Sequence, residues 1–338
     1  MNLSFSLLTL PSAPLALSVT LSPSALPLPH VFASTLPPFS PNLVDDIQVM
    51  LGFDFMRNAF LAGTAVALLA GLVGYFVVLR RLAFAADALS HPAFTGALGA
   101  VLVSLSPLSG VFGLTIAAAL VIGALGERAH GRDEAVGTVL AWILGLGALF
   151  LSIYTTTASA ASSALGVKVL FGSILGIQPD QAILAAILSA GVIIALLLMA
   201  RSLLFASIDP AVAMARGVPV RLLGVAFLAL LAVAVSEATQ IVGALLIFAL
   251  LVTPAATAQR LTTRPFAGMA LAAGLALAIT WVGLTIGFYT PLPISFLISA
   301  LAFLLYVGID VGQRTRKALD RARAQATPMI MEPSDISM

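Results

Sequence analysis

The chain has 338 residues, 60% of them hydrophobic and only 9% charged, with a formal net charge of +2 and no cysteine. A soluble domain of this size carries about a quarter charged residues, so the composition excludes one. It also excludes disulfides, thiolate metal sites and iron–sulfur clusters, and the near-neutral charge does not point to nucleic acid. Apolar runs long enough to cross a hydrocarbon core recur along the sequence, and helices satisfy their own backbone polar groups there. The fold class is an all-α polytopic membrane protein.

Residues 1–49 stand apart: they are rich in Pro, Ser and Leu and carry no charge before Asp45. Prolines recur from Pro11 to Pro41 and forbid a long helix, so a disordered extension is expected. The stretch lacks the basic start of a signal peptide. Met50 opens the membrane region directly and is a candidate translation start. A transmembrane domain then covers 50–312, and a basic, then polar, cytoplasmic tail covers 313–338. That tail is expected in solvent or on anionic headgroups.

Nine spans are predicted, near 55–79, 92–105, 111–125, 135–153, 181–199, 222–236, 241–258, 266–288 and 294–309, with eight as the alternative count because some are short. An Ala/Ser-rich stretch from 155 to 177 reads as an outer loop with a short re-entrant helix. Arginines at 80/81, 128/132, 201/216/221, 260/264 and from 314 onward fall in alternate loops, which places those loops in the cytoplasm.

Three stretches carry candidate chemistry. The first is RRLAFAADALSHPAFTG at 80–96, with Asp87 and His91 four positions apart between two apolar runs. On one continuous helix they would share a face. A carboxylate and an imidazole suit Zn²⁺ or Mn²⁺, and ionisable groups near lipid require an explanation. Two ligands are too few for tight binding, but two copies of the chain around a two-fold axis would bring four. Pro92 pushes His91 away from helical backbone and is expected to end the helix there. The bland reading is a helix-capping Asp87 and a His91 bonded to a carbonyl.

The second stretch is ASIDPAVAMARGVPV at 206–220. Asp209 is placed as an N-cap, Pro210 as first helical residue and Gly217 as the stop. A short capped helix carrying Ala213 and Arg216, on the cytoplasmic side between two spans, suits docking to a motor protein or serves as a plain connector. The third is QIVGALLIFALLVTPAATAQ at 240–259, whose Thr-Pro-Ala-Ala-Thr-Ala end is expected to break the helix near the cytoplasmic face. Glu237 lies just before it, in a predicted outer loop, as either a solvated acid or one that draws cations to a pore mouth. No GxxxxGK[ST] phosphate loop is present, nor HExxH nor GxSxG, so the chain reads as a transport subunit rather than an enzyme. His30 and His130 receive no role.

Taken in series, 74–96, LFGSILGI at 170–177, 208–220 and 242–258 resemble the membrane permeases of ATP-binding-cassette importers for zinc, manganese and iron. The resemblance covers roughly residues 52–310. It implies a homodimer around a central path in a bacterial cytoplasmic membrane, a separate ATPase docked on the 209–217 helix, and an extracytoplasmic metal-binding protein that delivers the ion. It makes Asp87 and His91 metal-pathway residues, with the divalent metal as substrate and no resident cofactor. Pro92 stands where the family pattern has a small residue, and 1–49 has no counterpart. Related permeases for iron chelates or cobalamin, a stand-alone secondary metal transporter and a membrane scaffold are the alternatives. The carboxylate–imidazole pair argues against the chelate permeases. Carboxylate plus imidazole fits zinc, manganese or ferrous iron alike.

Overall fold

The structure is a computed structural model and describes residues 48–126, 132–157, 172 and 174–326. The expected N-terminal extension through 47, His30, Arg128, His130, most of the 155–177 loop and the tail beyond 326 lie outside the described residues.

A turn of helix at 48–51 leads into α1 (Asp54–Leu79). Then follow α2 (Ala83–Ala88), α3 (His91–Leu102), α4 (Pro107–Gly126) and α5 (Arg132–Thr157). A 3₁₀ turn at Ile174–Gly176 precedes α6 (Pro179–Ile208), the short α7 (Pro210–Ala215), α8 (Val220–Val242), α9 (Ala244–Leu261), α10 (Pro265–Tyr289) and α11 (Ile294–Ala326). Seven of these helices, α1, α4, α5, α6, α8, α10 and α11, are long and apolar enough to cross a membrane.

The bundle is organised around α1. In its most apolar stretch 67% of residues are buried, against 22% in α5 and in α11, which leave most of their surface for lipid or other protein. α1 packs on α6, α8, α9 and α10. Its glycines make this possible. A Cβ at Gly74 would lie 1.9 Å from the Leu251 carbonyl oxygen, and one at Gly71 would lie 2.5 Å from Ala273 Cα, so backbones meet directly at both points. A second tight crossing joins α3 to α4, where Gly96 and Gly110 face each other.

Arg80, Arg260 and Arg314 mark one end of the bundle. Gln259 Nε2 donates to the Tyr75 carbonyl at 2.8 Å, so the end of α9 lies beside the end of α1. Arg80 stacks over the Phe227 ring, so the start of α8 lies there too. α8 therefore runs away from this end and α9 returns to it, reversing at Gly243, whose φ of +99° suits a residue without Cβ. Arg260 closes the same end by pairing with Asp310, which also holds Arg314 at 2.9 Å. Arg260 lies 4.5 Å from the Tyr306 ring centre, and Gln313 Nε2 donates to its carbonyl.

Two expectations fail here. α9 runs unbroken through Pro254 to Leu261 rather than breaking at Thr-Pro-Ala-Ala-Thr-Ala. Close neighbours hold a membrane helix together across a proline that would end a solvated one. The second predicted span, 92–105, is also mistaken: α3 alone has 12 residues, about 18 Å at 1.5 Å per residue, which is too short to cross.

Candidate functional site

α2 and α3 follow one another with only Leu89 and Ser90 between them. α2 is an alanine-rich piece of 6 residues that ends at Leu89, whose amide bonds the Ala85 carbonyl. α3 begins at His91, with Pro92 in its first turn, where a missing N–H is harmless. The helix thus breaks before His91, not at it. Asp87 lies in the last turn of one piece and His91 opens the next, and the two residues between them, Leu89 and Ser90, keep right-handed helical backbone. Both side chains are half-buried.

The break is supported rather than frayed. Ser90, 1% exposed, donates both its amide, at 3.0 Å, and its hydroxyl, at 2.7 Å, to the Asp87 carbonyl. Thr95, on α3, donates to the Ile143 carbonyl of α5 at 3.1 Å. α2 touches α1, α5, α8 and α9, and α3 touches α4, α5 and α9. Non-helical backbone at membrane depth is tolerated where protein surrounds it or where it lines a path, and interrupted helices are a recurrent way to present ion ligands. Among the described residues no group of three or more His, Cys, Asp and Glu side chains gathers in one place.

The short helix matches its sequence signals. Asp209 Oδ1 accepts from the Val212 amide at 3.0 Å, Pro210 is the first helical residue, and Gly217 ends the turn with φ +79°. Asp209, Pro210, Arg216 and Gly217 are exposed. Ala213 is fully buried and anchors the helix, which packs on α6 and α8.

Glu237 corrects another expectation. It lies neither in a solvated loop nor at a solvent-facing mouth, because α8 continues to Val242 and the predicted loop shrinks to Gly243. The side chain is 3% exposed, and Ser189 on α6 donates its hydroxyl to Oε1 at 2.5 Å. Oε2 has no hydrogen-bond partner among the described residues. Ser189 was not singled out from the sequence, although an isolated hydroxyl in an apolar helix marks such a contact. Arg80 and Phe227 were also missed, for their meeting depends on how α1 and α8 pack.

Comparison with known proteins follows this geometry. Residues 52–311 match the ABC 3 transport family. The chain is 31% identical to the manganese import system permease protein ScaB of Streptococcus parasanguinis, over 81% of this chain and 98% of that one. It is 30% identical to the manganese transport system membrane protein MntC of Listeria monocytogenes, over 64% of this chain and 76% of that one. Among solved structures, PsaBC from Streptococcus pneumoniae in complex with Fab superposes with a TM-score of 0.69 and 26% identity, covering 79% of this chain and 95% of that chain. The paired short helices α2 and α3, the capped α7 and the α8–α9 hairpin thus sit in a chain that belongs to the ABC 3 transport family.

Proposed function

We propose that the protein is the permease subunit of an ATP-driven importer of divalent metal ions in a bacterial cytoplasmic membrane, and that manganese is the first ion to test. The names of its relatives support manganese. The observation that carries the reading is the break between α2 and α3, with a carboxylate on one side and an imidazole on the other. In this reading α2 and α3 together make one span and α9 another, which with the seven long helices gives nine. The arginine-rich end faces the cytoplasm.

A divalent ion entering hydrocarbon bare would lose tens of kcal/mol of hydration by the Born estimate. Asp87 and His91 supply replacement ligands, and a second copy of the chain completes the set around a shared path. Such a set is loose enough to release its ion. The sequence has no phosphate loop, so ATP is hydrolysed on a separate ATPase seated on α7, and an extracytoplasmic protein delivers the metal. ATP drives transport by favouring one state of this assembly over the other. Glu237, sealed between α6 and α8, holds those helices together in the conformation seen here.

The test is uptake of radioactive Mn²⁺ into vesicles holding the permease with its ATPase and binding protein. Asp87→Ala and His91→Ala are expected to abolish ATP-dependent uptake while the protein stays in the membrane. Normal uptake by both variants would overturn the gate, and uptake without ATP or ATPase would favour a stand-alone transporter.

A further inference from the structure

The docking helix and the proposed gate lie on different helices, so something must connect them. One contact does so at the basic end of the bundle. α7 leads through a short turn into α8. Two turns up α8, Phe227 is fully buried, and the Arg80 guanidinium carbon lies 5.6 Å from the centre of its ring. Gly224 stands one turn below Phe227 on the same helix. A Cβ there would lie 3.6 Å from Arg80 Nη2, an ordinary contact distance, so the guanidinium lies directly against α8 at this turn. Arg80 itself caps the end of α1 through bonds from its amide and precedes α2, the piece that carries Asp87. Its neighbour Arg81 has φ +56°, a left-handed conformation that a non-glycine residue adopts at a cost. The chain accepts that conformation at the sharp turn from α1 into α2.

We infer that Arg80 is a positioning residue that carries movement of α7 and α8 to the α2–α3 break. The inference rests on the permease reading above and adds the route by which the motor reaches the gate. A guanidinium is planar and stacks on an aromatic face, and it remains charged throughout, so the pair holds as a unit when α8 shifts. Pushing on α7 moves α8, Phe227 draws Arg80 with it, and the Arg80–Leu82 turn passes the displacement to α2. α8 also packs directly on α1 and on α2 beside this contact.

The experiment measures metal taken up and ATP hydrolysed in the same vesicles, for the complete complex with the wild-type chain, Arg80→Lys, Phe227→Leu and the double variant. Lysine keeps the charge but loses the flat stacking surface, and leucine keeps the buried apolar bulk. Each single variant is expected to lower Mn²⁺ uptake about tenfold while ATP hydrolysis stays within about twofold, an effect of the size seen along coupling routes. The double variant is expected to be no worse than the worse single one, because both remove the same contact. Unchanged uptake, equal loss of uptake and hydrolysis, or independent effects that multiply in the double variant would each overturn the assignment. If a single variant fails to reach the membrane, Phe227→Tyr, which keeps the ring, is expected to retain wild-type coupling, and uncoupling in it would count against the stack. A wild-type complex that moves no metal would instead refute the permease reading, so the two failures are distinguishable.

Discussion

The chain interrupts its helices at two places that look alike in outline and differ in chemistry. Between α2 and α3 the interruption is two residues long, continues in the same general course, and is flanked by an acid and an imidazole, both half-buried. Between α8 and α9 it is a single glycine at φ +99° that turns the chain back on itself. There the neighbours are mechanical. Gly172, itself at φ +72°, lies so close that a Cβ on it would be 2.5 Å from the Val242 carbonyl carbon, and Ser295 donates to the Val242 oxygen at 3.3 Å. The lesson is that a break in a membrane helix is not by itself a site. One break is flanked by ionisable side chains and the other seals a corner, and the residues at the ends make the difference.

That contrast can be broken by substitution. Asp87→Asn and His91→Gln are expected to cut Mn²⁺ uptake by about two orders of magnitude, the upper range for disturbing a metal's ligands or their supports. Protein yield and thermal unfolding in detergent should barely move, and a drop in both would make the first break structural as well. Gly243→Ala is expected to behave the opposite way. It places a Cβ in a strained backbone region, at about 1–3 kcal/mol, and lowers the unfolding temperature while correctly folded protein keeps its uptake per molecule. A variant as stable as the wild type would show that the corner relaxes.

Ser189→Ala tests the sealed region beside that corner. It leaves the Glu237 carboxyl with no hydrogen bond among the described residues and is expected to destabilise by about 1–2 kcal/mol, read by thermal unfolding. The combined Ser189→Ala, Glu237→Leu variant should recover part of that loss, because an apolar pair has no stranded oxygen. Ser90→Ala is expected to have the smallest effect, about 1 kcal/mol or less, since it removes one neutral hydrogen bond to the Asp87 carbonyl. A larger loss of uptake than of stability in Ser90→Ala would show that the hydroxyl aims the gate.

The local signals were legible in the sequence where a few adjacent residues decide the outcome. Asp209, Pro210 and Gly217 define a capped helix by their own chemistry, and the structure has it. The helical, multi-span architecture follows from composition alone. What the sequence concealed depends on distant partners. Pro254 reads as a breaker, yet α9 passes through it amid packed neighbours. Pro92 reads as an ending at His91 but opens α3, because a proline offers no N–H to the carbonyl four residues back, Ala88, and so places the interruption before itself, at Leu89 and Ser90. Glu237 reads as a loop acid because its partner, Ser189, is 48 residues away. The candidate ligands Asp87 and His91 were legible by type, but not their placement on two separate helical pieces.

The glycine seats on α1 also limit what can move. With Leu251 and Ala273 pressed onto Gly74 and Gly71, and Gln259 tied to Tyr75, helices α1, α9 and α10 form a closely seated keel. A bulky side chain at position 74 would have to force α1 and α9 apart, so its damage would spread through the whole bundle rather than stay at one point.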